Sequence, residues 1–481
     1  MNHTRILVAV AVAALLLSGC ASSIVGRPAA RGASAAPDLA AMSAAELTAF
    51  TRAMPKGGEL HIHLAGAAFP ELYLTWAAED GLCIDTQALS LAPPCQPGGT
   101  LASARGLDAG LRSAMIDSLT TRRPDFAGRT GHDQFFTAFD RFGATAEHRR
   151  GDMLADVMAT LAAQNTFYVE VMWMPQSRAS RALGRTAGWT EAHAALEGRI
   201  APGIPALVQA STEETDAAEA DARELLRCAT PAADPGCEVT VRYLVQTNRL
   251  VALEETFAQL QLGVALVAAD PRWVGLQLVA PEDHPNALIN YRRHMAMIGY
   301  LSGRGRETPV ALHAGELTLA YATPQDLGFH VSEAVRTAGA SRIGHGVAIP
   351  SEDGAVELVA EMARNGVLVE VNLTSNAVIL EVAGAEHPVS WLRASGVPVS
   401  LSTDDPGIAR IDLSHEYARA VRETGATYAD LVASARNAIR YGFLSAEDQR
   451  RELARFERLL AEFEASQGLV SSAPEGVLRQ R

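Results

Sequence analysis

The sequence is poor in basic charge and contains a single lysine. Its 481 residues include 41 basic and 55 acidic side chains, which gives a formal net charge of −14. This balance disfavours a nucleic-acid-binding surface, because binding to phosphates requires clustered lysine and arginine. Charged residues make up 20% and hydrophobic residues 48% of the chain, a composition that argues against disorder. We therefore expect a globular protein that does not bind nucleic acid.

The N-terminus lacks an apolar run long enough to span a membrane. The run Ile6–Leu17, with its charged start and the small residues after it, predicts a secretory signal over residues 1–19. The Leu-Ser-Gly-Cys sequence that ends at Cys20 is similar to a bacterial lipobox, which implies cleavage before Cys20 and its lipidation. A simple signal peptide with an incidental cysteine is the alternative. Ala21 favours the outer membrane, so we expect a protein anchored there by its lipid alone and facing the periplasm.

Cysteine is scarce as well, and no C-x-x-C pair occurs, which argues against a cysteine-rich zinc site. With Cys20 assigned to the lipid, four of the five cysteines remain, and four cysteines allow three pairings. An oxidising compartment favours disulfides. We expect Cys83–Cys95 and Cys228–Cys237, because each pair is local and flanked by proline and glycine. Free buried thiols are the alternative.

Short β-rich runs alternate with amphipathic helical segments along the chain. The predicted helices include residues 215–228, 286–302, 354–365 and 413–422. Alternating strands and helices imply parallel pairing, and an eightfold repeat predicts a closed (β/α)₈ TIM barrel of α/β class, with an open doubly wound sheet as the alternative. The eight candidate strands are Glu59–Leu64, Phe167–Trp173, Val239–Val245, Val274–Val279, Pro309–His313, Arg342–Gly344, Val367–Val371 and Val397–Leu401.

The barrel is expected to form a single large domain over residues 42–465. Residues 20–41, rich in alanine, serine, glycine and proline, are predicted to form a flexible tether. Residues 77–130 are too long for a plain loop and predict an insertion after the first strand, on the active face of the barrel. A charged helix over 447–465 precedes a polar tail at 466–481.

Four histidines lie at the ends of predicted strands, where barrel enzymes place their chemistry. His61 and His63 alternate in the first strand, so both side chains project from the same face into the barrel. Alone, such a pair is a weak metal signal. His313 can supply a third nitrogen and Asp404 an oxygen, a ligand set that suits zinc with one position left for water.

Three further residues near these strand ends could act on a substrate. Glu316, three residues after His313, can donate a proton to a substrate nitrogen, as hydrolytic deamination requires. His345, between two glycines, can orient the water and take its proton. Asp405 can hydrogen-bond the substrate. Each residue alone has a structural explanation, such as a helix cap or a turn. That explanation becomes less convincing because all of these residues lie at the same end of the predicted barrel.

The position of the single lysine indicates how many metal ions the site should hold. Many metal-dependent barrel hydrolases bridge two metals with a carboxylated lysine at a strand end. Lys56 precedes the first strand and belongs to the opposite face of the barrel, so we expect one zinc ion per chain.

Four motifs together resemble the adenosine deaminase family. They are MPKGGELHIHLAGA (Met54–Ala67), LHAGE (Leu312–Glu316), RIGHG (Arg342–Gly346) and STDDPGI (Ser402–Ile408), and EVNLTSN (Glu370–Asn376) is similar to the family's seventh-strand segment. HDQFFTAFDRF (His132–Phe142) and PEDH (Pro281–His284) look closest to its secreted, growth-factor-like branch. The order of the motifs over some 350 residues makes this resemblance specific.

The resemblance implies a zinc-dependent hydrolase that converts adenosine and 2′-deoxyadenosine to their inosine products and ammonia. It implies His61, His63, His313 and Asp404 as ligands, Glu316 as the acid at purine N1, His345 at the water and Asp405 at N7. The positions expected to contact substrate are His63, Ala65, Ala280 and Asp405.

Two positions depart from the family pattern. Ala65 replaces an acidic residue that contacts the sugar, and Ala280 replaces a glycine whose amide meets the purine. The alternatives are therefore the same chemistry on adenine or another aminopurine derivative, or a non-catalytic surface lipoprotein that binds nucleosides. The H-x-E and P-C-x-x-C motifs of the cytidine-type deaminases are absent, which excludes that different zinc fold.

Overall fold

Eight parallel strands form a closed barrel in the computed structural model. The model describes residues 36–96, 101–123, 125–303 and 307–469. The strands, named the first to the eighth barrel strand in chain order, are Gly57–His63, Thr166–Trp173, Thr240–Asn248, Trp273–Val279, Ala311–Ala314, Arg342–His345, Leu368–Val371 and Val399–Leu401. The first four pair in sequence order, and so do the last four. Bridges between Ile62 and Asp404 and between Leu276 and Val310 join the two groups. The predicted barrel is confirmed.

Each predicted strand is present, with bounds that shift by up to three residues. The first strand ends at His63, because Leu64 begins a short helix. The helix predicted over 215–228 is longer and runs from Ile204 to Leu225. The α-helices are Ala44–Ala53, Leu64–Ala67, Pro70–Glu79, Ala109–Ser118, Gly131–Ala146, Arg150–Ala162, Ser177–Ala187, His193–Ile200, Ile204–Leu225, Leu253–Ala269, Pro285–Ser302, Pro324–Leu327, His330–Arg336, Ala355–Asn365, Leu373–Ile379, Val389–Ala394, Pro406–Ala409, Leu413–Thr424, Tyr428–Arg440 and Ala446–Gln467.

The last residues of the predicted flexible tether, residues 39–41, are folded against the barrel domain. Leu39–Ala41 is a 3₁₀ helix capped by Asp38, and the Leu39 side chain is buried. An apolar side chain docked in this way removes these residues from a flexible linker. The other 3₁₀ helices are Phe126–Gly128, Ala201–Gly203, Pro235–Glu238, Ile349–Ser351 and Gly384–Glu386. The predicted signal, Cys20 and the tail beyond residue 469 lie outside the described residues.

The insertion after the first strand carries its own small sheet. Strands Leu82–Asp85, Ser90–Pro94 and Ala102–Ser103 pair antiparallel, with the first in the middle. The structure joins Cys83 to Cys95 across this sheet. The Thr121 amide donates to the Ile408 carbonyl at 3.0 Å, and since Ile408 follows the eighth strand, the insertion lies at the carboxyl end of the barrel.

The second disulfide joins Cys228 to Cys237 in the connection before the third barrel strand. Both bridges are the local pairs expected from the sequence. The core consists of apolar side chains from the strands and from the helices packed around them. None of the described helices combines the length and the apolar character needed to cross a bilayer.

Lys56 lies at the amino end of the first strand and is fully buried. Its ammonium donates to the carbonyl oxygens of Gln164 at 2.6 Å and Met54 at 3.0 Å. The lysine is therefore at the end of the barrel opposite to the strand ends that carry the histidines, as expected.

Candidate active site

The four predicted ligands meet at the carboxyl end of the barrel. The His313 Nε2 atom lies 3.1 Å from His61 Nε2 and 3.2 Å from His63 Nε2. The Asp404 Oδ1 atom lies 3.3 Å from Nε2 of both His61 and His63. Ligand atoms that sit about 2.0–2.1 Å from a common zinc ion are separated by roughly this distance. Three imidazole nitrogens and one carboxylate oxygen therefore form a buried group that can hold a metal ion.

A buried chain of charges orients His61. Its Nδ1 lies 2.7 Å from Glu370 Oε2, while Glu370 Oε1 accepts from Arg342 Nε at 2.7 Å. Arg342 in turn pairs with Glu170 at 2.7 Å. A carboxylate at Nδ1 holds the hydrogen there, which leaves the Nε2 lone pair for a metal. These partners lie on the second, sixth and seventh barrel strands.

Two neutral side chains orient two of the other ligands, His63 and Asp404. His63 Nδ1 lies 3.0 Å from Gln246 Oε1, so the ring donates there and directs its Nε2 lone pair toward the group. Ser375 donates to Asp404 Oδ2 at 2.7 Å, which leaves Oδ1 facing the histidines. Such outer contacts fix ligand geometry before a metal binds.

The backbone at two site residues adopts a conformation that side chains rarely take. Asp404 has φ of 64° and His345 has φ of 67°. Left-handed conformations of non-glycine residues cost free energy and cluster at functional sites. Gly344 is needed beside His345, because a Cβ there would approach His61 Cε1 to 2.5 Å. The strand ends are thus shaped to bring the site residues into contact.

Glu316 is a buried acid beside the metal-binding group. Its backbone amide donates to Glu282 Oε2 at 2.8 Å, which holds the loop after the fifth strand in place. Burial raises the pKa of Glu316 well above its ordinary value, and the nearby carboxylates of Asp404 and Glu282 add to this. These effects favour the protonated form of the carboxyl group, and its Oε1 has no hydrogen-bond partner among the described residues.

His345 packs against the metal-binding histidines but is not one of the four predicted ligands. Its ring centre is 4.9 Å from that of His61 and 5.2 Å from that of His313. Nδ1 lies 2.9 Å from Asn376 Nδ2, whereas Nε2 is buried and meets no protein hydrogen-bonding atom in the described part of the chain. This nitrogen is available to a small molecule in the pocket.

Asp405 faces the same cavity with an unpaired oxygen, as far as the described residues extend. Burial raises its pKa well above the ordinary value, and the charge of Asp404 contributes in the same direction. Gly66 makes room for this carboxyl, since a Cβ at that position would lie 1.5 Å from Asp405 Oδ1. A protonated Asp405 can donate a hydrogen bond to an acceptor on a substrate.

The two departures from the family pattern are both half-buried. Ala65 follows the first strand, and its carbonyl oxygen accepts a hydrogen bond from Tyr73. Ala280 lines the cavity with φ of 82°, a conformation that glycine adopts without strain. Neither side chain offers a polar atom to a substrate.

A cavity of about 640 Å³ opens above the metal-binding group. Its floor consists of the site residues, and its wall includes the apolar side chains of Phe135, Phe136 and Phe139 from the helix Gly131–Ala146. On that helix His132 stacks on Tyr321 with ring centres 4.7 Å apart. The volume and the aromatic wall suit a flat, drug-sized ligand such as a purine derivative.

Sequence reasoning missed the residues that orient the site. Glu370 and Ser375 lie in the EVNLTSN segment and Glu282 lies in PEDH, whereas Gln246 follows the predicted third strand. The sequence patterns predict no role for any of them. A detectable signal was a charged residue inside an otherwise apolar strand, as at Glu370 in LVEV. Such a residue stays buried only when a partner neutralises it.

The fold and the site define a (β/α)₈ barrel with a buried metal-binding group and, beside it, a buried carboxyl group of raised pKa. A sequence model of the adenosine deaminase family matches residues 111–457. The chain therefore belongs to the adenosine deaminase family.

Individual members of the family match this chain at modest sequence identity and over only part of their length. An adenosine deaminase from Shewanella loihica is 30% identical over 213 residues, which cover 43% of this chain and 59% of the relative. One from Serratia proteamaculans is 34% identical over 142 residues, which cover 29% of this chain and 40% of the relative. The matches thus span about half the length of these curated relatives.

Solved structures show the same fold at low identity. An adenine deaminase from Arthrobacter aurescens superposes with a TM-score of 0.56 at 17% identity, covering 85% of this chain and 99% of the other. An amidohydrolase from Burkholderia ambifaria with bound zinc gives a TM-score of 0.51 at 20% identity, covering 90% and 98%.

Proposed function

We propose that the protein is a zinc-dependent hydrolase of cyclic amidines that deaminates adenosine and 2′-deoxyadenosine. The products are inosine or deoxyinosine and ammonia. The observation that carries the proposal is the meeting of a metal-binding group with two buried carboxyl groups of raised pKa, Glu316 and Asp405, in one purine-sized cavity. A non-catalytic nucleoside-binding protein has no use for the buried acid.

One zinc ion would be held by His61, His63, His313 and Asp404, whose donors suit it. When bound, zinc supplies the Lewis acidity that activates a water molecule at neutral pH. Glu316 donates its proton to purine N1, which makes C6 more electrophilic. Asp405 donates a hydrogen bond to N7, which is an acceptor, and His345 contacts the attacking water.

A substrate panel scored by ammonia release tests this function. The purified protein is given adenosine, 2′-deoxyadenosine and adenine, with and without a zinc chelator. We expect turnover of both nucleosides, lost with the chelator and restored by zinc. Failure to release ammonia from any aminopurine by a protein that holds one zinc ion would contradict the proposal and favour a binding protein.

A second candidate substrate is adenine or another aminopurine derivative. It is favoured by Ala65, whose side chain has no polar atom with which to contact a sugar and which lines a cavity of about 270 Å³. Turnover of adenine without turnover of adenosine would support this candidate. Ala65→Asp is then expected to raise the preference for adenosine over adenine, whereas Ala65→Val should not.

Export and anchoring through Cys20 are part of the proposal. The two disulfides in the described region support an oxidising compartment. Growth with a labelled fatty acid should label the wild-type protein in the outer-membrane fraction. Cys20→Ser should abolish the label, and a label that persists in this variant would contradict lipidation at Cys20.

A further inference from the structure

A line of hydrogen bonds runs from the backbone of residue 389 to the ring of His345. The Val389 amide donates to His387 Nδ1 at 3.2 Å. His387 Nε2 lies 3.0 Å from Asn376 Oδ1, and Asn376 Nδ2 lies 2.9 Å from His345 Nδ1. His345, Asn376 and His387 are all buried, with at most 2% exposure.

The backbone amide determines the direction of every hydrogen bond in this line. An amide N–H can only donate, so His387 Nδ1 is an acceptor and carries no hydrogen. The hydrogen of the neutral ring is therefore on Nε2 and is donated to Asn376 Oδ1. This places the Asn376 NH₂ group against His345, where Nδ1 must accept. Burial lowers the pKa of His387 to about 4, so the ring is neutral at pH 7.

A second amide near His345 Nδ1 agrees with an acceptor at this atom. Asn372 Nδ2 lies 3.5 Å away, a second amide donor on the same side. Glu316 Oε1 lies 3.4 Å from Nδ1 but does not form a hydrogen bond with it. A neutral imidazole that accepts at Nδ1 carries its hydrogen on Nε2.

We propose that Asn376 and His387 are positioning residues that fix His345 as the neutral tautomer with its hydrogen on Nε2. His345 then meets the attacking water as a hydrogen-bond donor that orients it, and not as the base expected from the sequence. This role rests on the proposed function, whereas the tautomer itself rests only on the hydrogen bonds.

The tautomer is measured by ¹⁵N NMR of histidine-labelled protein, with the His345 signals assigned from their loss in His345→Gln. Metal-free protein should show a neutral ring protonated at Nε2. A hydrogen on Nδ1 would overturn the proposal. This measurement needs no substrate, so a protein that deaminates nothing would refute the proposed function and leave the tautomer to be judged separately.

Asn376→Asp tests the consequence. The carboxylate can accept from both histidines, so we expect His345 to move its hydrogen to Nδ1. A wrong tautomer should lower kcat about 10²-fold or more, with little change in KM or zinc content. Asn290→Asp, on the helix Pro285–Ser302, is the matched control and should behave as wild type. Wild-type kcat in a folded Asn376→Asp protein with the hydrogen on Nδ1 would overturn the role.

A pair of variants at His387 separates positioning from packing. His387→Gln keeps an amide that can donate to Asn376 Oδ1, whereas His387→Leu removes the donor and lets the Asn376 amide turn over. We expect His387→Leu to lower kcat about 10-fold with mixed ¹⁵N signals, and His387→Gln to recover most of it. Equal loss in both folded variants would indicate packing alone and contradict the positioning role.

Discussion

Single carboxyl groups decide the chemistry that this cavity can perform. Glu316 and Asp405 are both buried and their pKa values are raised, so each can serve as a hydrogen donor where an ordinary carboxylate could only accept. The acid form of Glu316 is lost as pH rises through its raised pKa. The activity of the proposed deaminase should therefore fall on the alkaline side.

Glu316→Gln should lower kcat by about 10²–10⁴-fold, because the amide can hydrogen-bond N1 but cannot protonate it. Zinc content and KM should change little. The measurement is ammonia release over a range of pH. Glu361→Gln, which removes a carboxylate paired with Arg336 on the surface, is the control and should retain full activity. A variant at Glu316 with normal kcat would exclude it as the acid.

Strands and helices of the barrel contribute to the site chiefly through side chains that hydrogen-bond to the metal-binding residues. Ser375 lies in the short helix Leu373–Ile379 that follows the seventh strand, and Glu370 lies within that strand. Both act on a ligand without touching a metal, through the Oδ2 atom of Asp404 and the Nδ1 atom of His61. The seventh strand and the helix after it therefore position one ligand in the first strand and another in the segment just after the eighth strand.

Ser375→Ala should weaken zinc binding about 10-fold, because Asp404 loses the hydrogen bond that orients it. A competition titration with a metal-binding dye measures the affinity. Ser332→Ala, the same change on an outer helix, is expected to leave it unaltered. An unchanged affinity in the Ser375 variant would mean that the histidines alone hold the carboxylate in place.

The strands and helices could be predicted because their patterns alternate clearly along the sequence. The side-chain contacts between different strands could not be predicted. The eight strands read as short β-rich runs, and the first histidine pair was placed correctly because side chains alternate along a strand. The charge chain from His61 to Glu170 joins residues more than a hundred positions apart in sequence. Such pairs depend on barrel closure, which no local pattern contains. The ligand set could be predicted without these contacts, from the strand-end positions of its residues and from the family motifs.

The whole molecule is expected to be more stable with metal than without it. A ligand that binds only the folded chain, at 1,000 times its Kd, stabilises it by about 4 kcal/mol. Zinc should therefore raise Tm by several degrees, measured by circular dichroism after removal and return of the metal. His313→Ala should abolish this shift. A Tm that is the same with and without zinc would argue against a zinc site at these residues.

Stability should also depend on pH through Lys56. Burial lowers its pKa from 10.5 to about 7, against the effect of Asp412. Between these values the unfolded chain binds a proton that the folded chain has released, so the free energy of unfolding rises with pH. The slope is at most about 1.4 kcal/mol per pH unit.

Urea unfolding of wild type and Lys56→Met at about pH 7.5 and 9.5 measures this dependence. The free energy of unfolding of wild type minus that of Lys56→Met should rise with pH. The contributions of the other titrating groups are common to both proteins and cancel in the difference, and the sequence contains no second lysine. A difference that stays constant with pH would mean that the buried ammonium keeps its charge.

The burial of Lys56 has a practical consequence for chemical labelling. A reagent that reacts with side-chain amines has one target in this chain, and folding hides it at the base of the barrel. Amine-directed cross-linkers therefore cannot join two folded copies through lysine. Modification of Lys56 instead reports each opening of the first strand. The protein carries its own single-site probe of unfolding, with no engineered label.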